Sequence, residues 1–172
     1  QIRNIEWKKA SLFSEVTGVI SNQVSGNEVQ LKVSYKLPGV ETQFTSAYTI
    51  NGNGVVKIDN TLGTTFYKGD IPRIGMRMQL PKQYNEMTYF GRGPWENYQD
   101  RKHSAFVDLY TSTVSDQYVP YIRPSENGYK TEVRWVSLVN KAGNGLMVVS
   151  EDTKNGLGIG ALHMPNEDFD AT

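Results

Sequence analysis

The feature that most constrains this chain is a side-chain period of two joined to an excess of tight-turn dipeptides. Val29, Leu31, Val33, Tyr35 and Leu37 are apolar, and the intervening Gln30, Lys32, Ser34 and Lys36 are polar. In an extended strand these two sets fall on opposite faces, so the segment reads as a strand with one wet face. Ile74, Met76, Met78 and Leu80 repeat the pattern, which places Leu31, Val33, Ile74 and Met76 on inward faces. Further strands are expected over residues 44–50, 55–58, 87–90, 129–138, 146–150 and 157–164. Apolar stripes of helical spacing are hard to find.

Asn-Gly occurs five times, at Asn51-Gly52, Asn53-Gly54, Asn127-Gly128, Asn144-Gly145 and Asn155-Gly156. Both residues accept the positive φ that short hairpins require. Ser25-Gly26-Asn27, residues 51–54 and Asn144-Gly145 lie between alternating runs and are expected to turn one strand into its antiparallel neighbour. Residues 59–70 and 99–124 read as longer, irregular connections. The fold class that follows is all-β and antiparallel, with residues 1–172 forming a single domain.

Charge and composition remove several function classes. Lys and Arg number 18 and Asp and Glu number 18, with no basic block, so the footprint of a nucleic-acid or anionic-membrane binder is absent. No apolar run reaches the roughly 20 residues that span a bilayer as a helix. Cysteine is absent, which excludes disulfides, thiolate metal sites and a cysteine nucleophile without fixing a compartment. His103 and His163 are too far apart in sequence to suggest a zinc motif.

The chemistry-bearing residues gather in two runs. Gly91-Arg92-Gly93-Pro94-Trp95-Glu96-Asn97-Tyr98-Gln99-Asp100-Arg101 begins with residues that end a strand and continues with aromatic and polar side chains. Trp95 and Tyr98 offer flat apolar faces with polar tips, and Glu96 and Asn97 offer planar groups that bind hydroxyls. The same groups could instead form a polar network pinning the loop to a sheet, and Asp100 with Arg101 reads as a structural ion pair. Tyr118-Val119-Pro120-Tyr121-Ile122-Arg123-Pro124-Ser125-Glu126-Asn127-Gly128 is a second, proline-stiffened loop. The candidate carbohydrate contacts are Trp95, Glu96, Asn97, Tyr98, Tyr121, Glu126 and Asn127.

These two runs, with Pro72-Arg73-Ile74-Gly75-Met76 and Gln79-Leu80 before them, closely resemble the C-terminal small-chain domain (domain 5) of bacterial glycoside hydrolase family 2 β-galactosidases. The resemblance is specific over residues 71–135. It implies an antiparallel β supersandwich similar to galactose mutarotase, here as an incomplete domain, since the family's flanking motifs are not found. It also implies hydrolysis of terminal β-galactosides by two glutamates of a separate barrel domain, so that no catalytic residue is expected in this chain and Glu96 and Glu126 are not catalysts. No cofactor is expected here, although the intact family enzymes commonly use Mg and Na in other domains. The implied partners are the other domains of the parent enzyme and its galactoside, with homo-oligomerisation left open. The implied setting is the cytoplasm or periplasm of a bacterium. Two other functions compete: an autonomous carbohydrate-binding module standing on Trp95 and Tyr98, and a mutarotase-like epimerase, which requires a histidine acid and a carboxylate base at one centre.

Overall fold

A computed structural model describes residues 5–63, 71, 73–122 and 126–169. Among the described residues one α-helix, α1 (Ile5–Leu12), precedes ten strands: β1 (Glu15–Ser25), β2 (Glu28–Leu37), β3 (Thr42–Asn51), β4 (Val56–Leu62), β5 (Glu86–Gly93), β6 (Phe106–Thr113), β7 (Lys130–Val133), β8 (Trp135–Val139), β9 (Gly145–Val149) and β10 (Leu157–Ile159). All the pairings are antiparallel, as the turn chemistry requires. The chain divides into two compact units, Gln1–Arg77 and Met78–Thr172.

The first unit is a meander in the order β1-β2-β3-β4. Ser25 pairs with Glu28, so Gly26 and Asn27 form a two-residue hairpin loop, and residues 51–55 turn β3 into β4. In β2, Leu31, Val33 and Tyr35 are half-buried while Gln30, Lys32 and Lys36 are exposed, which is the alternation read from the sequence. Tyr35 lies opposite Phe44 with ring centroids 6.1 Å apart. Helix α1 is a short helix within an all-β chain. Its Glu, Lys, Ala and Leu residues favour a helix, but Ala10 is its one buried side chain, so it carries no apolar stripe.

The second unit contains a sheet in the order β6-β5-β8-β9 and a two-stranded sheet, β10-β7. Met87, Tyr89, Val114, Val133 and Val136 form its core, with Tyr110, Leu138, Val148, Ile159 and Ala161 packed around them. Burial of side chains such as Met87 and Val133 contributes about 1.5–3 kcal/mol each. β5 and β7 approach at backbone distance: a Cβ on Gly91 would lie 2.7 Å from Val133 Cα. Glycine is the residue that leaves room for this crossing.

Several sequence expectations need correction. Residues 73–80 join no ladder among the described residues, and Ile74, Met76 and Met78 are exposed rather than inward. Alternation defines which side chains could share a face, but a strand also needs a partner edge. The single strand expected over residues 129–138 is two, because Glu132 adopts φ 53° and the chain passes at Arg134 from pairing with β10 to pairing with β5 and β9. A local left-handed residue is what re-aims a strand in this way. Finally, the stretch 99–124 contains β6, an edge strand whose Phe106, Val107 and Leu109 are all exposed and so leave no two-sided pattern to read. The irregular stretch expected at 59–70 starts later, because β4 continues to Leu62; its residues 64–70, with Pro72 and residues 123–125 of the motif blocks and the termini, lie outside the described residues.

Candidate functional site

β5 ends at Gly93 and delivers the Pro94–Arg101 run beside the residues that enter β7. Asn97 fixes that placement. Its backbone N–H donates to Tyr129 O at 2.8 Å, and its side-chain amide donates to Arg92 O at 3.0 Å and Trp95 O at 3.1 Å. Its Oδ1 accepts from the Thr131 backbone N–H at 3.0 Å and from the Thr131 hydroxyl. With 1% exposure, Asn97 is a buried amide with every polar atom engaged.

Glu96 ties the two motif runs together. Its Oε2 accepts from Gly128 N–H at 3.0 Å and from Tyr98 Oη at 3.4 Å, and its Oε1 accepts from the Arg101 guanidinium at 2.9 Å. Arg101 therefore finds its carboxylate at Glu96, where the sequence suggested Asp100. The Arg101 N–H to Tyr98 O bond of 2.9 Å folds the run back on itself, and this turn presents Arg101 to Glu96 instead of to its neighbour in sequence. The Arg101 guanidinium also lies 4.5 Å above the Tyr98 ring and 3.5 Å from Tyr121 Oη. Tyr98 stacks on Tyr129 with centroids 5.5 Å apart. Burial, with the nearby Glu96 and Glu126 carboxylates, pushes the Tyr98 phenol up to about 12, so it acts as a donor at neutral pH.

The seven sequence candidates separate by what they touch. Asn97 and Asn127 are buried braces: Asn127 accepts from Val119 N–H at 2.8 Å and donates to Val119 O at 2.6 Å. Glu96 and Tyr98 form the partly buried floor. Trp95 stands 80% exposed above them, and Tyr121 and Glu126 are exposed at the margin. The two runs are thus brought together, and the polar network and the exposed platform that the sequence offers as rivals coexist in one loop.

Sequence reasoning missed two charged groups. Lys130, 2% exposed, sends its ammonium to Gln117 Oε1 at 2.8 Å and Gly128 O at 3.4 Å. Gln117 is held in turn by Ser112 Oγ and Thr113 O. Burial pulls the Lys130 ammonium down to about 8, against a smaller opposing pull from the Glu96 carboxylate. Glu132 gathers Lys102 Nζ at 2.7 Å, Arg92 Nε at 3.0 Å and Arg134 at 3.9 Å, and Lys102 and Arg92 hold its carboxyl below the usual range. Nothing in the alternation marks Lys130 as buried or Glu132 as half-buried; only the fold does. His163 Nε2 meets Asn85 Oδ1 at 2.9 Å and Ser115 Oγ at 3.1 Å, which are neutral partners. Among the described residues no three His, Asp or Glu side chains gather as a metal site.

Residues 2–172 match the family described as the β-galactosidase small chain. A β-galactosidase of Priestia megaterium is 34% identical over 149 residues, which is 83% of this chain and 14% of that protein. One of Lactobacillus delbrueckii subsp. bulgaricus is 29% identical over 160 residues, 92% of this chain and 15% of that protein. A β-galactosidase of Vibrio cholerae is 41% identical over 87 residues, covering 51% of the chain and 8% of its own length. The chain belongs to the β-galactosidase small chain family. It spans about one-seventh of the first two relatives.

Proposed function

We propose that this chain works as the non-catalytic small-chain domain of a β-galactosidase, and that Trp95 on its braced floor contacts carbohydrate bound by the intact enzyme. The family match runs across both compact units, which supports treating residues 1–172 as one domain of the mutarotase-like supersandwich type. The observation that carries the sugar contact is the contrast within one loop: Glu96 and Asn97 are spent on internal hydrogen bonds, while Trp95 is exposed. An indole carried on a fixed loop costs less further ordering when a pyranose stacks on it than one on a mobile loop. Glu96 has its oxygens engaged by a backbone N–H, a phenol and a guanidinium, an arrangement suited to bracing rather than proton transfer.

In the full-length enzyme, Trp95→Ala is expected to raise KM for an aryl β-galactoside by roughly 2- to 10-fold, the range of one aromatic contact. The melting temperature should stay near that of the parent, because an exposed side chain contributes within about ±0.5 kcal/mol. An unchanged KM refutes the contact. The isolated chain should not hydrolyse the substrate; turnover that disappears in Glu96→Gln would reverse the assignment of this domain as non-catalytic. The exposed indole also favours a second reading, an autonomous binding module, which calorimetric titration of the isolated chain with galactose and lactose distinguishes.

A further inference from the structure

We infer that Asn144 is a site of spontaneous backbone-assisted deamidation in the folded chain, and that the fold protects the other four Asn-Gly pairs. The reaction needs water alone. The glycine nitrogen attacks the amide carbon of the asparagine side chain, a new C–N bond forms, and the nitrogen gives its proton to solvent. The bond from that carbon to Nδ2 then breaks and releases ammonia. Water opens the resulting cyclic imide at either carbonyl, leaving aspartate or isoaspartate, and no electrons are exchanged. A following glycine favours the attack because no Cβ crowds its nitrogen.

The attacking nitrogen must be free of a hydrogen bond, and here the five sites differ. Gly52 N–H donates to Asn27 O at 2.9 Å, Gly54 N–H to Asn51 O at 3.0 Å, Gly128 N–H to Glu96 Oε2 at 3.0 Å and Gly156 N–H to Asp152 O at 2.8 Å. The amides add further restraint: Asn53 Oδ1 accepts from Val55 N–H, Asn155 Nδ2 donates to Asp152 Oδ2, and Asn127 is buried with both ends engaged.

Gly145 is placed differently. It pairs with Val139 at the mouth of the β8–β9 hairpin, and the next pair toward the turn is closed by Asn140 N–H to Asn144 O at 2.8 Å. In an antiparallel ladder hydrogen-bonded and open pairs alternate, so the Val139–Gly145 pair is open and the Gly145 N–H points away from β8. β9 is the edge of its sheet, and both Asn144 and Gly145 are exposed. The nucleophile and the amide it attacks therefore both face solvent.

The product would alter the hairpin. Asn140 Oδ1 accepts from Ala142 N–H at 2.9 Å and Asn144 N–H at 3.1 Å, which sets the turn. Isoaspartate adds a methylene to the backbone at position 144 and shifts β9 against β8, loosening the hold of Val148 on the core.

The test is peptide mapping by mass spectrometry of the whole chain after incubation in mildly alkaline buffer, folded and in urea. In the folded chain the peptide containing Asn144 should convert at least about fivefold faster than those containing the other four sites, the ratio set by one net hydrogen bond. In urea the five rates should converge. Asn144→Gln should abolish modification of that peptide and leave the other four rates unchanged. A folded chain in which Asn127 or Asn155 converts as fast as Asn144, or in which urea leaves the ranking unaltered, overturns the inference.

Discussion

Lys130 makes stability rise with pH, the direction opposite to that of a lysine that gains a carboxylate partner on folding. Its ammonium is 2% exposed and rests on two neutral carbonyl oxygens, and burial lowers it from 10.5 to about 8. Between these values the folded chain holds the neutral amine while the unfolded chain still binds a proton. Raising the pH therefore favours the folded form: the contribution is fully present above about 10.5 and is lost as the pH falls through about 8. At 1.36 kcal/mol per unit of pKa, the difference is on the order of 3 kcal/mol. Lys130→Met removes the titration while keeping a linear side chain of similar reach. Urea melts of both proteins in a Trp7→Phe background, followed by Trp95 and Trp135 fluorescence, report on the second unit. The stability of the parent relative to Lys130→Met should rise by about 3 kcal/mol from neutral pH to above pH 10, and tyrosine ionisation, common to both, cancels. A difference flat across that range refutes a desolvated ammonium and places Lys130 in water.

Three substitutions test the packing of the second unit. Asn97→Ala leaves the Thr131 N–H and hydroxyl and two loop carbonyls without partners, and should destabilise the second unit by about 3 kcal/mol or more in thermal melts, at ~1–3 kcal/mol for each buried group orphaned. Gly91→Ala should cost about 1–3 kcal/mol because its Cβ meets the backbone at Val133 Cα, whereas Gly143→Ala, with open space but φ 80°, should cost only ~1 kcal/mol of backbone strain. Equal losses at the two glycines would remove the argument for backbone contact between β5 and β7.

What was legible in the sequence follows from what local pattern encodes. Turn chemistry places the hairpins because Asn and Gly act on their own backbone, and β2 is visible because one face is half-buried. Residues 73–80 carry the same alternation without forming a ladder among the described residues, and β6 forms a ladder without the alternation, because partner edges are not local information. The motif runs marked the right loop, yet a loop side chain can face inward or outward. Asn97 and Trp95, two residues apart, differ completely in exposure, and hydrogen bonds to Thr131 and Tyr129 decide which is which.

The Asn97 to Thr131 bond has a consequence for the newly made polypeptide. It joins residues 34 apart, so the Trp95 loop cannot acquire its brace until β7 has been synthesised. At ~5–20 residues per second the ribosome needs roughly 2–7 s to cover that distance. Through that interval the indole rides on an unbraced tether, open to other nascent segments and to chaperones. The arrival of Gly128, Tyr129 and Thr131 converts it into a fixed surface.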